Sequence, residues 1–367
     1  MSRPRVLFAL PGLHLVQRGA EVAFEQIASG LCAEGFEVTL LGAGAPIEGR
    51  PYRCLQGKVA PRERFHRWPK FPPLRSEYRW EELSFAPSVW RLTNPKDYDL
   101  TVTCSYPFVN WMLRARRKGG VPKHVFVTEN GDWPATERRR EYRWFSCDLL
   151  VCTNPEYEAR NRERWRCALI PNGVLAERFT PGPGDKARFG IPAHAKVVCM
   201  VSALIASKYP LAGVEAVASL PEDVHLLLAG DGPLREECDA LGRAKLGERY
   251  HRITVPMAEM PTVYRTGDVF MHLSRDEAFG NIYIEAQACG LPVVAHDTPT
   301  TRWILGEAGH FLDTGDAAAL HHILVQLLDQ PPAEAWINKA RTEIVGRFDW
   351  PVVCRQYAGV FRELLDL

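Results

Sequence analysis

The sequence predicts an α/β protein of two domains, each built on a parallel sheet. Three observations predict it. Residues 5–41 read as strand, glycine-containing loop, helix and strand, and a connection of that kind lays its two strands parallel. Residues 268–298 repeat the order of strand, loop, helix, turn and strand much later in the chain. The length of 367 residues suits two domains of ordinary size, and Pro181-Gly182-Pro183-Gly184 reads as a linker.

Composition bounds the function. An apolar content of 46% and a charged content of 24% are those of a soluble globular chain. No apolar run approaches the roughly 20 residues of a membrane span. The first residues, MSRPRVLFAL, enter a strand without the features of a signal peptide, so a cytoplasmic location is expected. The ten cysteines form no Cys-x-x-Cys pair and read as reduced core residues, and no His/Cys/Asp cluster has metal-ligand spacing. The net charge of +1 conceals an asymmetry: residues 1–180 hold 28 Lys and Arg against 20 Asp and Glu. With no nucleic-acid motif and an acidic second half, nucleic acid is not expected as a partner.

Taken in order, Arg5–Leu10 is an apolar strand that ends in a loop carrying Gly12, Arg18 and Gly19. The helix behind it places Ala20, Phe24, Ile27 and Leu31 on one face and stops at Gly35; Glu37–Leu41 is the next strand. Gly12 and Gly19 do not spell a dinucleotide fingerprint. Residues 43–96 break the periodicity and interleave aromatics with cations, among them Arg62, Arg67, Trp68, Lys70 and Trp80. Such a stretch suits an anionic or glycan surface or a membrane headgroup zone, or it is an irregular insertion whose aromatics pack inward. Asp99–Cys104 and His124–Thr128 are strands around a helix Phe108–Lys118. The second strand opens on Glu129, Asn130 and Asp132, at the end where open sheets place ligands. Arg138–Arg140 and Arg143 add charge; Cys147–Thr153 is a strand, with a helix after it holding Arg160 to Arg166.

In the second half, Lys196–Ser202 is a strand, then Ala203 to Lys208 a loop, then a helix with Val214 and Val217. Val224–Ala229 leads to the turn Gly230-Asp231-Gly232-Pro233-Leu234, and a short helix Met260–Arg265 leads to strand Asp268–Leu273. The loop with Asp276, Glu277, Phe279 and Gly280 follows. Asn281 is placed to cap a helix containing Ile282 and Glu285 that stops at Gly290, and Pro292–His296 is again a strand. Helices are expected at 317–328, 333–345 and 352–365.

The loop and helix from Glu277 to Gly290 carry the chemistry. Free N–H groups at a helix N-terminus favour a phosphate, and Gly280 lets a ligand approach the backbone. A carboxylate accepts from vicinal hydroxyls of a sugar or ribose. Two carboxylates, Glu277 and Glu285, flanking a phosphate seat would fit a nucleotide-sugar.

The stretch EAFGNIYIEAQACGLPVVA, with its Glu-x7-Glu spacing, resembles the signature of the retaining glycosyltransferases of family 4. The resemblance implies the GT-B fold: two Rossmann-like, doubly wound domains facing across a cleft. It divides the chain into an acceptor-side domain, residues 1–178, and a nucleotide-sugar domain, residues 179–349, with a last helix 350–367 returning to the first. It implies that Glu277 contacts the donor sugar, that Glu285 binds the ribose, and that the Asn281 and Ile282 amides with Lys208 hold the diphosphate. Phe279, Gly280, Ser202 and Gly230 would line the donor site, and Glu129 and Asn130 would stand near the reacting sugar. The chain departs from the family pattern in carrying Ala203 where an Arg is usual, no His after Thr128, and Arg18 before Gly19 where Gly-Gly is usual. Arg18 is expected to supply the charge that Ala203 lacks. The implied partners are a UDP- or GDP-linked sugar and a glycan or lipid-linked acceptor, with no cofactor or metal; the basic excess of the first half adds an expected peripheral contact with the inner face of the membrane. A catalytically degenerate sugar-nucleotide-binding module and a nucleotide-sugar epimerase are alternatives on the same fold.

Overall fold

The computed structural model describes residues 3–137 and 139–367; Met1, Ser2 and Arg138, one of the expected cations, lie outside the described residues. The described residues form two compact units. One runs to Asn172 and takes in Trp350–Leu367; the other is Gly173–Asp349.

The first unit holds seven parallel strands among the described residues: β1 (Arg5–Ala9), β2 (Glu37–Gly42), β3 (Arg53–Gln56), β4 (Leu100–Thr103), β5 (Lys123–Val127), β6 (Leu149–Cys152) and β7 (Cys167–Leu169). Their order is β3-β2-β1-β4-β5-β6-β7. The register sets Val6 opposite Val38 on one side and Leu100 on the other. These strands are almost wholly apolar because helices cover both faces of a doubly wound sheet. Strand order reverses between β1 and β4, so the carboxyl ends of those two strands form the natural ligand crevice of this unit.

The helix Gly19–Ala33 follows β1 and buries Phe24, Ile27 and Leu31. The C-terminal helix, Trp350–Leu364, lies against it so closely that a Cβ on Gly30 would meet the Cys354 sulfur at 2.2 Å.

The break in periodicity over 43–96 conceals β3 and a 16-residue helix, Glu77–Leu92. That helix has no apolar stripe to read. Its buried face mixes Phe85 and Val89 with Arg79, Glu81 and Glu82, and Pro87 interrupts its backbone bonding. The insertion's aromatics pack mainly on one another, with Phe65–Trp68 and Trp68–Trp80 ring centroids 5.0 and 4.8 Å apart. Its cations are partly paired, Arg62 with Glu81 and Lys70 with Glu77. The helix expected over Arg160–Arg166 ends at Asn161. The helix Phe108–Ala115 also stops short of Lys118, before a turn that carries Gly119 and Gly120 at positive φ.

The second unit holds β8 (Lys196–Val201), β9 (Val224–Ala229), β10 (Tyr250–Ile253), β11 (Val269–His272), β12 (Val293–His296) and β13 (Gly309–Leu312), all parallel, in the order β10-β9-β8-β11-β12-β13. The reversal falls between β8 and β11. The loops that leave those two strands are the ones carrying Lys208 and Glu277. Two cores sandwich the sheet, one around Phe270, Tyr283 and Phe348, the other around Met200, Leu226 and Leu324.

Candidate active site

The loop after β8 is braced by the turn after β9. A Cβ on Gly230 would sit 1.9 Å from the Ser202 carbonyl oxygen, and one on Gly232, at φ +155, would meet the Leu204 backbone at 2.6 Å. Only glycine permits that approach. Leu204 N–H then donates to Asp231 O at 2.9 Å, and Leu234 N–H to Leu204 O at 3.0 Å. Gly230 thus shapes the loop through its backbone, and Ser202 is buried with a hydroxyl that no described group partners. The brace aims the single turn Ala206–Lys208, and Tyr209, left-handed at φ +52, redirects the chain into the helix Pro210–Ala218.

Lys208 reaches the loop after β11 and forms an ion pair with Glu277 Oε1. The same oxygen lies 2.8 Å from His272 Nε2. A carboxylate only accepts, so the His272 proton sits on Nε2. Nδ1 is buried with no hydrogen-bond partner among the described residues. Burial by itself would raise the Glu277 carboxyl. The bond from His272 and the charge of Lys208 override it and pull the group down to about 2. Burial also holds the His272 imidazole below its ordinary value, so it stays neutral and acts as a donor. Glu277 Oε2 makes no hydrogen bond to a described residue.

The helix that follows is Asn281–Ala288. Gly280, not Asn281, is its N-cap: φ is +83, a region open to glycine, and no side chain caps the helix. Asn281 and Ile282 therefore occupy the first helical positions, where backbone N–H groups have no intrahelical partner. A Cβ on Gly280 would also strike the Tyr283 ring at 2.7 Å. Phe279 turns inward and is 2% exposed, its ring against Trp303 and Phe348. Glu285, one turn inside the helix, accepts from the Tyr264 hydroxyl at 2.7 Å on Oε2. Burial pushes its carboxyl up to about 7, with Tyr264 and Arg178 opposing. Its Oε1, like Glu277 Oε2, is not bonded to a described residue. Two carboxylates thus stand on either side of an uncapped helix start, each tethered by one oxygen.

In the first unit, Glu129 accepts from Asn172 Nδ2 at 2.8 Å, and burial pushes it up to about 7. Asn130 is exposed and reaches the Cys104 sulfur at 3.6 Å. Asp132 is a structural anchor instead: 6% exposed, it is held by Arg160 at 3.1 Å and by Asn161 at 2.9 Å. Arg18 is the N-cap of the helix that begins at Gly19, exposed and without a side-chain capping bond.

Sequence reasoning missed three groups. His272 reads as one residue of an apolar strand, and Tyr264 as one residue of the short helix Met260–Arg265. Glu82 is fully buried and accepts from the Val109 N–H at 2.8 Å, at the start of the helix Phe108–Ala115. Burial pushes it up to about 8. Cys104, at the carboxyl end of β4, is raised by burial and then by the charges of Glu129, Glu21 and Glu82, which places all three acids around it.

Comparison with known proteins gives two family matches. Residues 17–178 match the family described as Glycosyltransferase Family 4, and residues 183–343 match that of glycosyl transferases group 1. Both halves of the chain thus match glycosyltransferase families. A D-inositol 3-phosphate glycosyltransferase of Mycolicibacterium smegmatis is 32% identical over 220 residues, 55% of this chain and 50% of that protein. The chain spans 50–63% of the length of such curated relatives. Among solved structures, sucrose-phosphate synthase from Thermosynechococcus elongatus superposes with a TM-score of 0.79 at 21% identity, covering 99% of this chain and all of that one. Anabaena HepE in complex with UDP and glucose superposes with 0.74 at 19%, covering 97% and 98%. At these identities the likeness is one of fold, and the fold is GT-B, with two Rossmann-like domains.

Among the described residues, no group of three or more His, Cys, Asp or Glu side chains is placed to hold a metal ion. No helix of the described residues is long and apolar enough to cross a membrane.

Proposed function

We propose that this chain is a retaining family 4 glycosyltransferase that moves a sugar from a nucleotide diphosphate sugar to an acceptor hydroxyl. The observation that carries the reading is the pair Glu277 and Glu285, each tethered through one oxygen, on either side of the uncapped helix start at Gly280. Glu285 takes the ribose hydroxyls. The Asn281 and Ile282 amides take the diphosphate. Lys208 turns from Glu277 to the diphosphate as the donor arrives, and Arg18 adds the positive charge that Ala203 lacks. Glu277 orients the sugar ring through Oε2 while His272 keeps hold of Oε1. Ser202, Gly230 and Phe279 shape the seat by backbone and packing.

Preorganised cations and amides stabilise the departing diphosphate, the usual means when no metal takes part, and no cofactor is needed. The acceptor is a glycan or lipid-linked hydroxyl compound that meets the first unit near Glu129 and Asn130. Contact of that unit with the inner face of an anionic membrane belongs to the same proposal. HepE was solved with UDP and glucose, which makes UDP-glucose the first donor to try.

The test has two stages. A screen of UDP- and GDP-sugars by thermal shift finds the donor, because a ligand of the folded state raises Tm. Release of nucleotide diphosphate is then followed with and without acceptors. Glu285→Ala loses donor binding; Glu277→Ala keeps binding and loses turnover. Sugar conversion without an acceptor would identify an epimerase instead, and binding with no turnover a degenerate module.

A further inference from the structure

We infer that the amino-terminal edge of the first unit's sheet carries a docking surface for an anionic lipid bilayer, centred on Trp90, Trp144 and Val121. This gives the membrane contact proposed above a definite place, and it rests on that reading alone, not on the identity of the donor. The helix Phe108–Ala115 ends at this edge, and the turn after it leads back into β5. Trp144 is 65% exposed, Val121 54%, Trp90 50% and Leu92 42%. Single exposed apolar residues are ordinary, but four large ones around one helix end are not.

Cations are set among them. The Arg116 guanidinium lies 4.7 Å from the centre of the Trp90 ring and donates to the Trp90 and Thr93 carbonyls. Arg114 donates to the Trp144 carbonyl at 2.8 Å. Lys96, Lys118, Arg116 and Val121 line one shallow depression, and Trp111, Arg114 and Trp144 line another. Arg91, Lys96, Lys118 and Arg143 are exposed and form no ion pair among the described residues. The carboxylates at the same edge are engaged: Asp148 pairs with Arg117, Asp99 with Arg5, and the exposed Asp97 accepts from Asn94.

Indole rings with exposed tips beside unpaired cations suit the headgroup zone of a bilayer, where the ring is half-buried and the cation meets lipid phosphate. A sugar site is excluded by position, since open parallel sheets bind ligands at the carboxyl ends of their strands and this edge is the opposite one. The aromatic insertion over 62–80, the stretch that sequence composition favours, is the weaker surface. Its rings pack edge to face on each other, and four of its cations, Arg62, Lys70, Arg75 and Arg79, are paired.

The test is sedimentation of the full chain with vesicles of phosphatidylcholine alone or mixed with phosphatidylglycerol. Wild type binds the mixed vesicles, binding weakens with salt, and tryptophan emission shifts to the blue. Lys96→Glu/Lys118→Glu lowers the affinity about 30-fold or more, since each cation near such a surface is worth roughly fivefold. Trp90→Ala/Trp144→Ala abolishes the emission shift and weakens binding, while Trp68→Ala in the insertion changes neither. The Tm of every variant, with and without the donor found by the screen, reports folding separately. Failure of wild type to bind the mixed vesicles overturns the inference. So does equal binding to phosphatidylcholine alone, or undiminished binding by both double variants.

Discussion

Replacing His272 by leucine separates the chemistry of the donor site from the stability of the unit that holds it. Glu277 is pulled from an ordinary 4.5 down to about 2 against the effect of its own burial. That displacement favours the ionised, oriented carboxylate. Only two groups supply it, His272 and Lys208, and both act on Oε1. If Lys208 moves to the diphosphate, the 2.8 Å bond from His272 is what still fixes the carboxylate. A hydrogen bond to a charged acceptor is worth about 1.5–3 kcal/mol, so His272→Leu lowers kcat/KM by roughly 10- to 150-fold.

Stability responds differently. His272 Nδ1 is buried without a partner, so leucine removes a desolvated polar atom and fills similar space. Tm then stays within a few degrees of wild type. His272→Gln places an amide N–H near the old Nε2 position and recovers much of the rate. The assay is nucleotide diphosphate release at varied donor concentration, beside Kd for the free nucleotide, which the substitution leaves unchanged. A leucine variant with undiminished kcat/KM, or one whose defect glutamine fails to relieve, would refute the reasoning.

Glu285, held at about 7 by burial, accepts ribose hydroxyls best when ionised, so donor affinity drops up to tenfold per pH unit below about 7; calorimetry in buffers of different ionisation enthalpy shows proton release on binding. Glu285→Gln flattens that profile and weakens binding. Gly280→Ala combines a left-handed φ of +83 with a contact at 2.7 Å to the Tyr283 ring, and it costs about 1–3 kcal/mol by denaturant titration together with loss of donor binding. Glu82 has a folded value of about 8, above an ordinary 4.5. The sign is therefore that of a group whose contribution is intact below about pH 4.5 and erodes as pH rises to about 8, by up to roughly 5 kcal/mol. Glu82→Gln keeps an oxygen for the Val109 N–H and removes that slope from the stability–pH curve; an unchanged slope would exclude the buried acid as its source.

Much of this was legible one residue at a time. The strands of both sheets stand within a residue or two of their apolar runs, with β10 and the short β3 less plain. Lys208, Gly280, Glu277 and Glu285 stand out because a phosphate seat and a hydroxyl acceptor need those residue types in that order. The helix Glu77–Leu92 did not, because its buried face contains Arg79, Glu81 and Glu82, and a periodicity of apolar residues cannot reveal a polar face that pairs inside the fold. Asp132 looked like a ligand and proved to be an anchor for Arg160 and Asn161, contacts with residues 28 and 29 positions further along. Asn281 looked like a cap, but a positive φ at Gly280 moved the cap back by one residue.

Sequence alone determined the alternation of strand and helix, the two parallel sheets and the Glu-x7-Glu spacing. Each of these is a matter of local pattern, carried by neighbours in the chain. Tertiary structure decided which atoms meet: that His272 and Lys208 converge on one oxygen of Glu277, that Tyr264 holds Glu285, and that Trp90 and Trp144 emerge at one edge of the first sheet. The strand order places β8 beside β11 although some 70 residues separate their ends, and that adjacency, invisible to any window along the chain, brings the lysine to the carboxylate.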